Sequence, residues 1–170
     1  MNTANYWIEK LNLEKHPEGG YFREMYRSEE NIQKNALPDR YNGDRSVATS
    51  IYFLLNGNEF SSFHKIQSDE TWHFYTGTTL KLWVISERGK LLYHLLGQNP
   101  EAGEHLQITI PRNHWFAGRV VDKNSFALLG CTVAPGFNFD DFELGDRKKL
   151  IDEFSQHRKI IEELTFGDLY

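Results

Sequence analysis

From Tyr21 to Thr132 the chain breaks into short runs of β-branched, aromatic and aliphatic residues, separated by clusters of Gly, Asn, Asp and Pro. Runs of that length and spacing predict strands joined by tight turns. The runs are Tyr21–Arg27, Ser46–Leu55, Glu59–Ile66, Thr71–Tyr75, Leu80–Ser86, Lys90–Leu95, His105–Ile110, Phe116–Val121 and Ser125–Val133. Asn56-Gly57-Asn58, Gly77, Glu87-Arg88-Gly89-Lys90, Pro111-Arg112-Asn113 and Asp122-Lys123-Asn124 punctuate them. No helical period interrupts the series, so an all-β sandwich or barrel is expected rather than alternating strand–helix units. The two ends differ. Thr3–Asn12 reads as a short helix, with Thr3 as N-cap and Trp7, Ile8 and Leu11 on one face. His16-Pro17-Glu18-Gly19-Gly20 stops the chain's helical course. Asp146–Leu164 reads as helix again. Its Leu150, Phe154, His157, Ile161 and Leu164 form one apolar stripe, and Ser155 is a point where it divides in two. That stripe packs on the outside of the barrel or meets a second subunit.

The 170 residues suit one domain: a helix over 3–12, a barrel over about 21–145 and a helical segment over 146–164. Glu29–Arg45 is polar, carries Pro38 and Gly43, and reads as an exposed loop, long enough for a lid or a partner contact. The formal net charge of −5 argues against nucleic acid as a partner. No apolar run is long enough to span a membrane, and Met1–Lys10 lacks the pattern of a signal peptide, so the expected location is the cytoplasm. The single cysteine, Cys131, lies in an apolar run and reads as a buried, inert thiol. Aromatic residues are abundant, at 14 %. They serve either as core filler or as the walls of a cavity.

Two stretches carry candidate chemistry. Gly57–Gly77 reads GNEFSSFHKIQSDETWHFYTG and Gly103–Phe116 reads GEHLQITIPRNHWF. Together they resemble the paired motifs of the cupin superfamily, jelly-roll β-barrels. The resemblance implies an inward-pointing set of two His and a Glu from the first motif and a further His from the second, binding a divalent metal. His64 and Glu70 match that set, but Ile66 and Phe116 stand where the other two histidines belong. A metal site needs about three converging protein ligands. His73 is three residues from Glu70 and joins it only across a β-bulge; His114 is two before Phe116 but sits beside a turn. No bound metal or other cofactor is therefore expected, and a residual divalent ion at His64 and Glu70 is the alternative. The blocks KHPEGGYFREMYRS (15–28), IYFLL (51–55), FSSFHKIQSDETWHFYTG (60–77) and GCTVAPGFNFDDFELGD (130–146) are similar to the cupin 5 branch. This likeness spans about Leu11 to Leu150. It implies a cupin double-stranded β-helix, usually a homodimer, without implying a settled reaction.

Strand parity then sketches the site. With His64 facing inward, Phe60, Ser62 and Ile66 share its face, and Glu70 shares a face with Trp72 and Phe74. The expected pocket has His64 and Glu70 as polar centre, Ser62 and Gln107 as further polar groups, and Trp72, Phe74, Trp115 and Phe116 as walls. It would take a small polar or cyclic metabolite, such as a sugar or nucleotide derivative. His64 and Glu70 form either a proton-transfer dyad, with His64 as base and Glu70 orienting it, or a structural ion pair. The dyad suits isomerase or epimerase chemistry, which other barrels of this fold perform. Arg23 and Arg27 alternate on the first strand; they reach an anionic group at the barrel mouth or pair with Glu24, Asp69 or a neighbouring subunit. Two further readings remain: a metal-dependent enzyme using His64 and Glu70 with His73 or His114, and a non-catalytic dimeric scaffold. The acidic run Asp140-Asp141-Phe142-Glu143 lacks the spacing of a calcium loop and reads as a solvated or interface segment.

Overall fold

A computed structural model describes residues 3–167. In chain order the strands are β1 (Glu14–Lys15), β2 (Tyr21–Arg27), β3 (Asn31–Ile32), β4 (Arg45–Ser46), β5 (Thr49–Asn56), β6 (Phe60–Lys65), β7 (Asp69–Gly77), β8 (Leu80–Ile85), β9 (Leu91–Leu96), β10 (Glu104–His105), β11 (Gln107–Ile110), β12 (Trp115–Val120), β13 (Phe126–Ala134) and β14 (Glu143–Leu144). Helix α1 (Ala4–Lys10) precedes them, and α2 (Arg147–Glu153) and α3 (Arg158–Glu163) follow. The expected all-β architecture with helices at both ends is the one the chain adopts. Thr3 caps α1 through its Oγ1, which accepts the Tyr6 N–H at 3.3 Å. The C-terminal stripe divides at Ser155–His157, a single 3₁₀ turn. Among the described residues no helix is long and apolar enough to cross a membrane.

The strands form two six-stranded sheets, ordered β1-β2-β5-β13-β7-β11 and β10-β9-β8-β12-β6-β14. Their inner faces meet over Phe53, Leu55, Trp72, Phe74, Leu82 and Phe116. That core is possible because the inward positions of β5, β7, β8 and β13 alternate with outward ones, as period two requires. Each sheet also covers part of its outer face. Trp7, Ile8 and Leu11 of the α1 segment pack on Leu54 and Leu128 of the first sheet. The α2–α3 stripe packs on Phe63, Ile85, Trp115 and Ala117 of the second.

Two local features position the site. The turn from β1 to β2 needs positive φ at Gly19 (108°) and Gly20 (72°), which glycine adopts without Cβ strain. It is closed by the His16 N–H on the Gly20 carbonyl at 3.1 Å and the Gly19 N–H on the His16 carbonyl at 3.0 Å. On β6 the pairing with β12 slips between Phe116, opposite His64, and Gly118, opposite Ser61. This β-bulge breaks the inward–outward alternation between Ser61 and His64.

The Glu29–Arg45 segment is more ordered than its polarity suggests. β3 and β4 pair across it, Tyr41 is fully buried, and its hydroxyl lies 2.8 Å from Ser68 Oγ. Arg45 is buried too and donates to both oxygens of Asp141, each at 2.6 Å. The acidic run is therefore not a wholly solvated segment: Asp141 is its buried anchor, neutralised by an arginine almost a hundred positions earlier in the chain.

Candidate functional site

At one end of the barrel, between the sheets, lies a cavity of about 270 Å³. Its floor is Phe53, His64, Glu70, Trp72 and Cys131 from the strands. Its rim is His16 and Glu18 from the β1–β2 turn, Glu24 and Arg27 from β2, and Phe137, Asn138, Phe139 and Phe142 from the segment between β13 and β14. That last segment is tied down as a roof. The Phe137 N–H donates to Thr49 Oγ1 at 2.9 Å, the Gly136 N–H to the Ser46 carbonyl at 2.7 Å, and Asp141 holds Arg45.

The polar centre is a hydrogen-bonded cluster around Glu18. The Ser61 hydroxyl donates to Glu18 Oε1 at 2.8 Å. His64 Nε2 lies 3.1 Å from Glu18 Oε2, and His64 Nδ1 lies 2.7 Å from the Ser62 carbonyl. A carbonyl only accepts, so Nδ1 carries a proton. The Nε2···Oε2 contact then needs one proton more, held by Glu18 as a neutral acid or by His64 as an imidazolium. Both groups are buried, with 5 % and 2 % of their surface exposed. Burial penalises the charged forms. It pushes the Glu18 carboxyl well above the usual carboxylate range, helped by the nearby Glu70 charge, and holds His64 down to about 3. Burial therefore favours the arrangement in which Glu18 carries the proton and donates to a neutral imidazole. The Glu18 backbone N–H points at His16 Nδ1 at 3.3 Å, so His16 is neutral as well, and burial lowers its pKa to about 4.

Glu70 stands apart from this cluster. It is 7 % exposed, lines the cavity and has no ion-pair partner among the described residues. Burial raises its pKa to about 7, offset in part by the neighbouring Cys131 thiol and Trp72 indole. The indole N–H is close enough to favour the carboxylate, yet makes no hydrogen bond of acceptable geometry to any group. An orphaned donor of that kind costs on the order of 1–3 kcal/mol. Cys131 is 2 % exposed and its thiol is pushed upward by burial, so it is an inert wall.

Strand parity placed some expected site residues and misplaced others. His64, Glu70 and Trp72 line the cavity. Ser62 does not: the β6 bulge turns its hydroxyl to the Leu164 carbonyl at 3.3 Å, and Ser61 takes the inward place. Phe74 lies deeper, in the packed core. Phe116 backs the His64 ring at a centroid distance of 4.1 Å but belongs to the same core. Trp115, its neighbour on β12, necessarily faces the other way; it packs beneath α2 and α3 with Lys65 Nζ 4.4 Å from its ring. Gln107 is exposed, because β11 buries Ile108 and Ile110 instead. Arg23 is exposed and donates to the Leu11 carbonyl at 3.0 Å. Arg27 does reach the rim, held by Glu24 at 3.0 and 2.7 Å. The carboxylate beside His64 is Glu18, not Glu70. Glu18 and His16 were missed as site residues because both lie in a turn; the only sequence signal was a charged residue and a histidine embedded in a Pro-Gly-Gly turn.

The donor set does not fit a resident metal. His64 spends Nδ1 on a backbone carbonyl and Nε2 on Glu18. His73 lies on the opposite face with Nε2 3.1 Å from Thr132 Oγ1, and His114 Nδ1 sits 3.0 Å from the Arg112 carbonyl. Among the described residues no three His, Cys, Asp or Glu side chains are arranged to hold an ion. Neither His73 nor His114 joins His64 and Glu70 in such a group.

Comparison with known proteins agrees with the geometry of the barrel. Residues 5–145 match the family model Cupin_5, described as Cupin superfamily (DUF985). The uncharacterized protein YML079W of Saccharomyces cerevisiae is 27 % identical over 143 residues, 79 % of this chain and 71 % of that protein. Among solved structures, protein SO0799 from Shewanella oneidensis superposes with a TM-score of 0.90 at 37 % identity, covering 99 % of this chain and 100 % of that one. A hypothetical protein from Leishmania major superposes at 0.88 with 32 % identity, covering 98 % and 100 %.

Proposed function

Because the chain belongs to the cupin superfamily, in its DUF985 branch, and such a fold hosts many unrelated chemistries, we propose its function from the site: the cavity binds a small polar or cyclic metabolite and exchanges a proton with it through Glu70. The observation that carries this reading is a buried carboxyl at the wall of a cavity, without an ion-pair partner among the described residues, whose burial raises its pKa to about 7. A general acid–base works best when its pKa lies near the working pH. Glu70 is then present in both forms at neutrality, and one carboxyl can remove a proton from a bound molecule and return it elsewhere, as an isomerase or epimerase requires. His64 supports the site differently from a base. With Nδ1 on the Ser62 carbonyl and Nε2 on Glu18, it has no free nitrogen for a substrate and fixes the Glu18 carboxyl in its neutral form. The aromatic roof and walls supply the apolar lining typical of a small-molecule site.

A thermal-shift screen against a broad metabolite library tests the binding half, since a ligand of the folded state raises the melting temperature. Each hit is then incubated with protein in D₂O and followed by proton NMR. Wild type is expected to wash deuterium into one carbon position of the true substrate, and Glu70→Gln to bind without washing it in. A screen without hits would remove the binding reading. Hits that never exchange would leave a binding protein and remove the catalytic one.

A further inference from the structure

The cavity's hydrogen-bonding inventory says more about its occupant than its size alone. Three observations bear on it. The first is charge. Arg27 is the one permanent cation of the lining among the described residues, and four of its five N–H groups are engaged, by both Glu24 oxygens, Ser46 Oγ at 3.2 Å and the Phe137 carbonyl at 3.1 Å. The two histidines are held neutral by their hydrogen bonds and burial. The charge of Arg27 is already balanced by Glu24, so a buried phosphate or carboxylate would find no counter-charge of its own in the lining described, and burying an uncompensated charge is costly. The second is the Trp72 indole N–H, on a side chain that is 1 % exposed and lines the cavity; it stands close to Glu70 but makes no hydrogen bond of good geometry among the described residues. Two residues away on the same face of β7 stands Glu70, an acceptor when ionised and a donor when not. The third is volume. At about 30 Å³ per water, 270 Å³ displaces about nine waters, the bulk of one substituted ring.

We propose that the pocket selects an uncharged, single-ring compound carrying a carbonyl beside an N–H or O–H, the carbonyl accepting from Trp72 Nε1 and its neighbour bonding to Glu70. This rests on the reading of the cavity as a small-molecule site and narrows it. Nucleotides and sugar phosphates fall outside the class on charge. A lactam, an imide or a cyclic hydroxy-ketone falls inside it. Trp72 thereby acts as a specificity residue, since a site with a buried donor rejects molecules that leave the donor unpaired.

The test uses matched probes on the full chain, read by ¹⁵N–¹H correlation NMR, with the Trp72 indole peak identified by its loss in Trp72→Phe. The probes are uracil, orotate, which adds a carboxylate to the same ring, and the amide of orotate, which keeps that shape without the charge. The expected result is that uracil and the amide shift the indole peak, and that orotate binds at least about tenfold more weakly than its amide. Folded Trp72→Phe should bind uracil about tenfold more weakly for loss of one hydrogen bond. Orotate binding as well as its amide, or Trp72→Phe binding uracil unchanged, would overturn the selection while leaving the pocket reading intact. So would uracil and the amide failing to perturb the indole while the metabolite screen finds other cavity ligands. The wild-type comparison of orotate with its amide decides the charge argument even where the Trp72 variant does not fold.

Discussion

Replacing Glu18 by Gln distinguishes a neutral buried cluster from a buried ion pair. In the neutral arrangement Glu18 accepts from Ser61 Oγ and donates to His64 Nε2. A glutamine amide reproduces both: its carbonyl accepts from Ser61, and one N–H donates to His64. Its second N–H points toward His16 Nδ1, which lies 3.4 Å from Glu18 Oε2. The hydrogen-bond count is kept, so near pH 4.5 the variant should match wild type within about 1 kcal/mol. Above that pH the comparison tilts. The unfolded Glu18 ionises near 4.5 while the folded one stays protonated, so the folded state binds the extra proton and wild type loses stability as pH rises. Each unit costs up to about 1.4 kcal/mol for as long as the folded group keeps its proton. Glutamine has no such penalty, so Glu18→Gln should be more stable than wild type at pH 7. His16 and His64 titrate in the opposite sense. Their folded pKa values of about 4 and 3 lie below the unfolded 6.5, so stability is lost as pH falls below 6.5. The two trends oppose each other, so the variants must be compared at matched pH. Urea unfolding at pH 4.5 and pH 7 gives the answer, with Glu18→Ala, which strands Ser61 and His64, as the destabilised control. An imidazolium–carboxylate pair predicts the reverse: glutamine would strip a buried cation of its partner and cost about 3–5 kcal/mol at pH 7. That loss would refute the neutral assignment.

Three further outcomes follow from the same geometry. Glu70 should show a protonated-carboxyl infrared band below pH 7 that bleaches as pH rises through about 7 and is missing from Glu70→Gln. Trp115→Ala should cost about 3–5 kcal/mol in urea unfolding yet leave the resonances of cavity residues in place, because Trp115 packs under the C-terminal helices. Asp141→Asn leaves Arg45 buried with a weakened partner and should cost up to about 3–5 kcal/mol, with faster hydrogen exchange across 137–142, the roof that Asp141 anchors.

Alternation and turn chemistry carried the sequence reading a long way. Tyr21–Arg27 has the same bounds in the structure, and most other strands differ by a residue or two, because hydrophobic period and Gly/Asn turns are local properties. The site was only half legible, and the losses have particular causes. Parity fails wherever a strand is irregular: the bulge on β6 exchanged Ser61 for Ser62. A break at Leu106 separates β10, paired to β9, from β11, paired to β7, so counting through it put Gln107 on the wrong face. Trp115 and Phe116, being adjacent, never could share a wall. Glu18 and His16 have no period at all, since a turn positions them, and the side-chain partners of Glu18, Ser61 and His64, lie more than forty residues away.

The roof also sets when the pocket comes into being. Its residues follow β13, which pairs with both β5 and β7, while Glu18 and His16 sit near the other end of the chain. Thr49 must find Val133 before Phe137 and Phe142 have anything to lean on. Contacts so distant along the chain are slow to form. The two sheets can close over their aromatic core once β13 has been made, but the cavity stays open on one side until residues 137–142 have followed. The cavity is among the last parts of the molecule to be completed, and shortened chains ending before the roof should keep the core of the two sheets while losing the pocket.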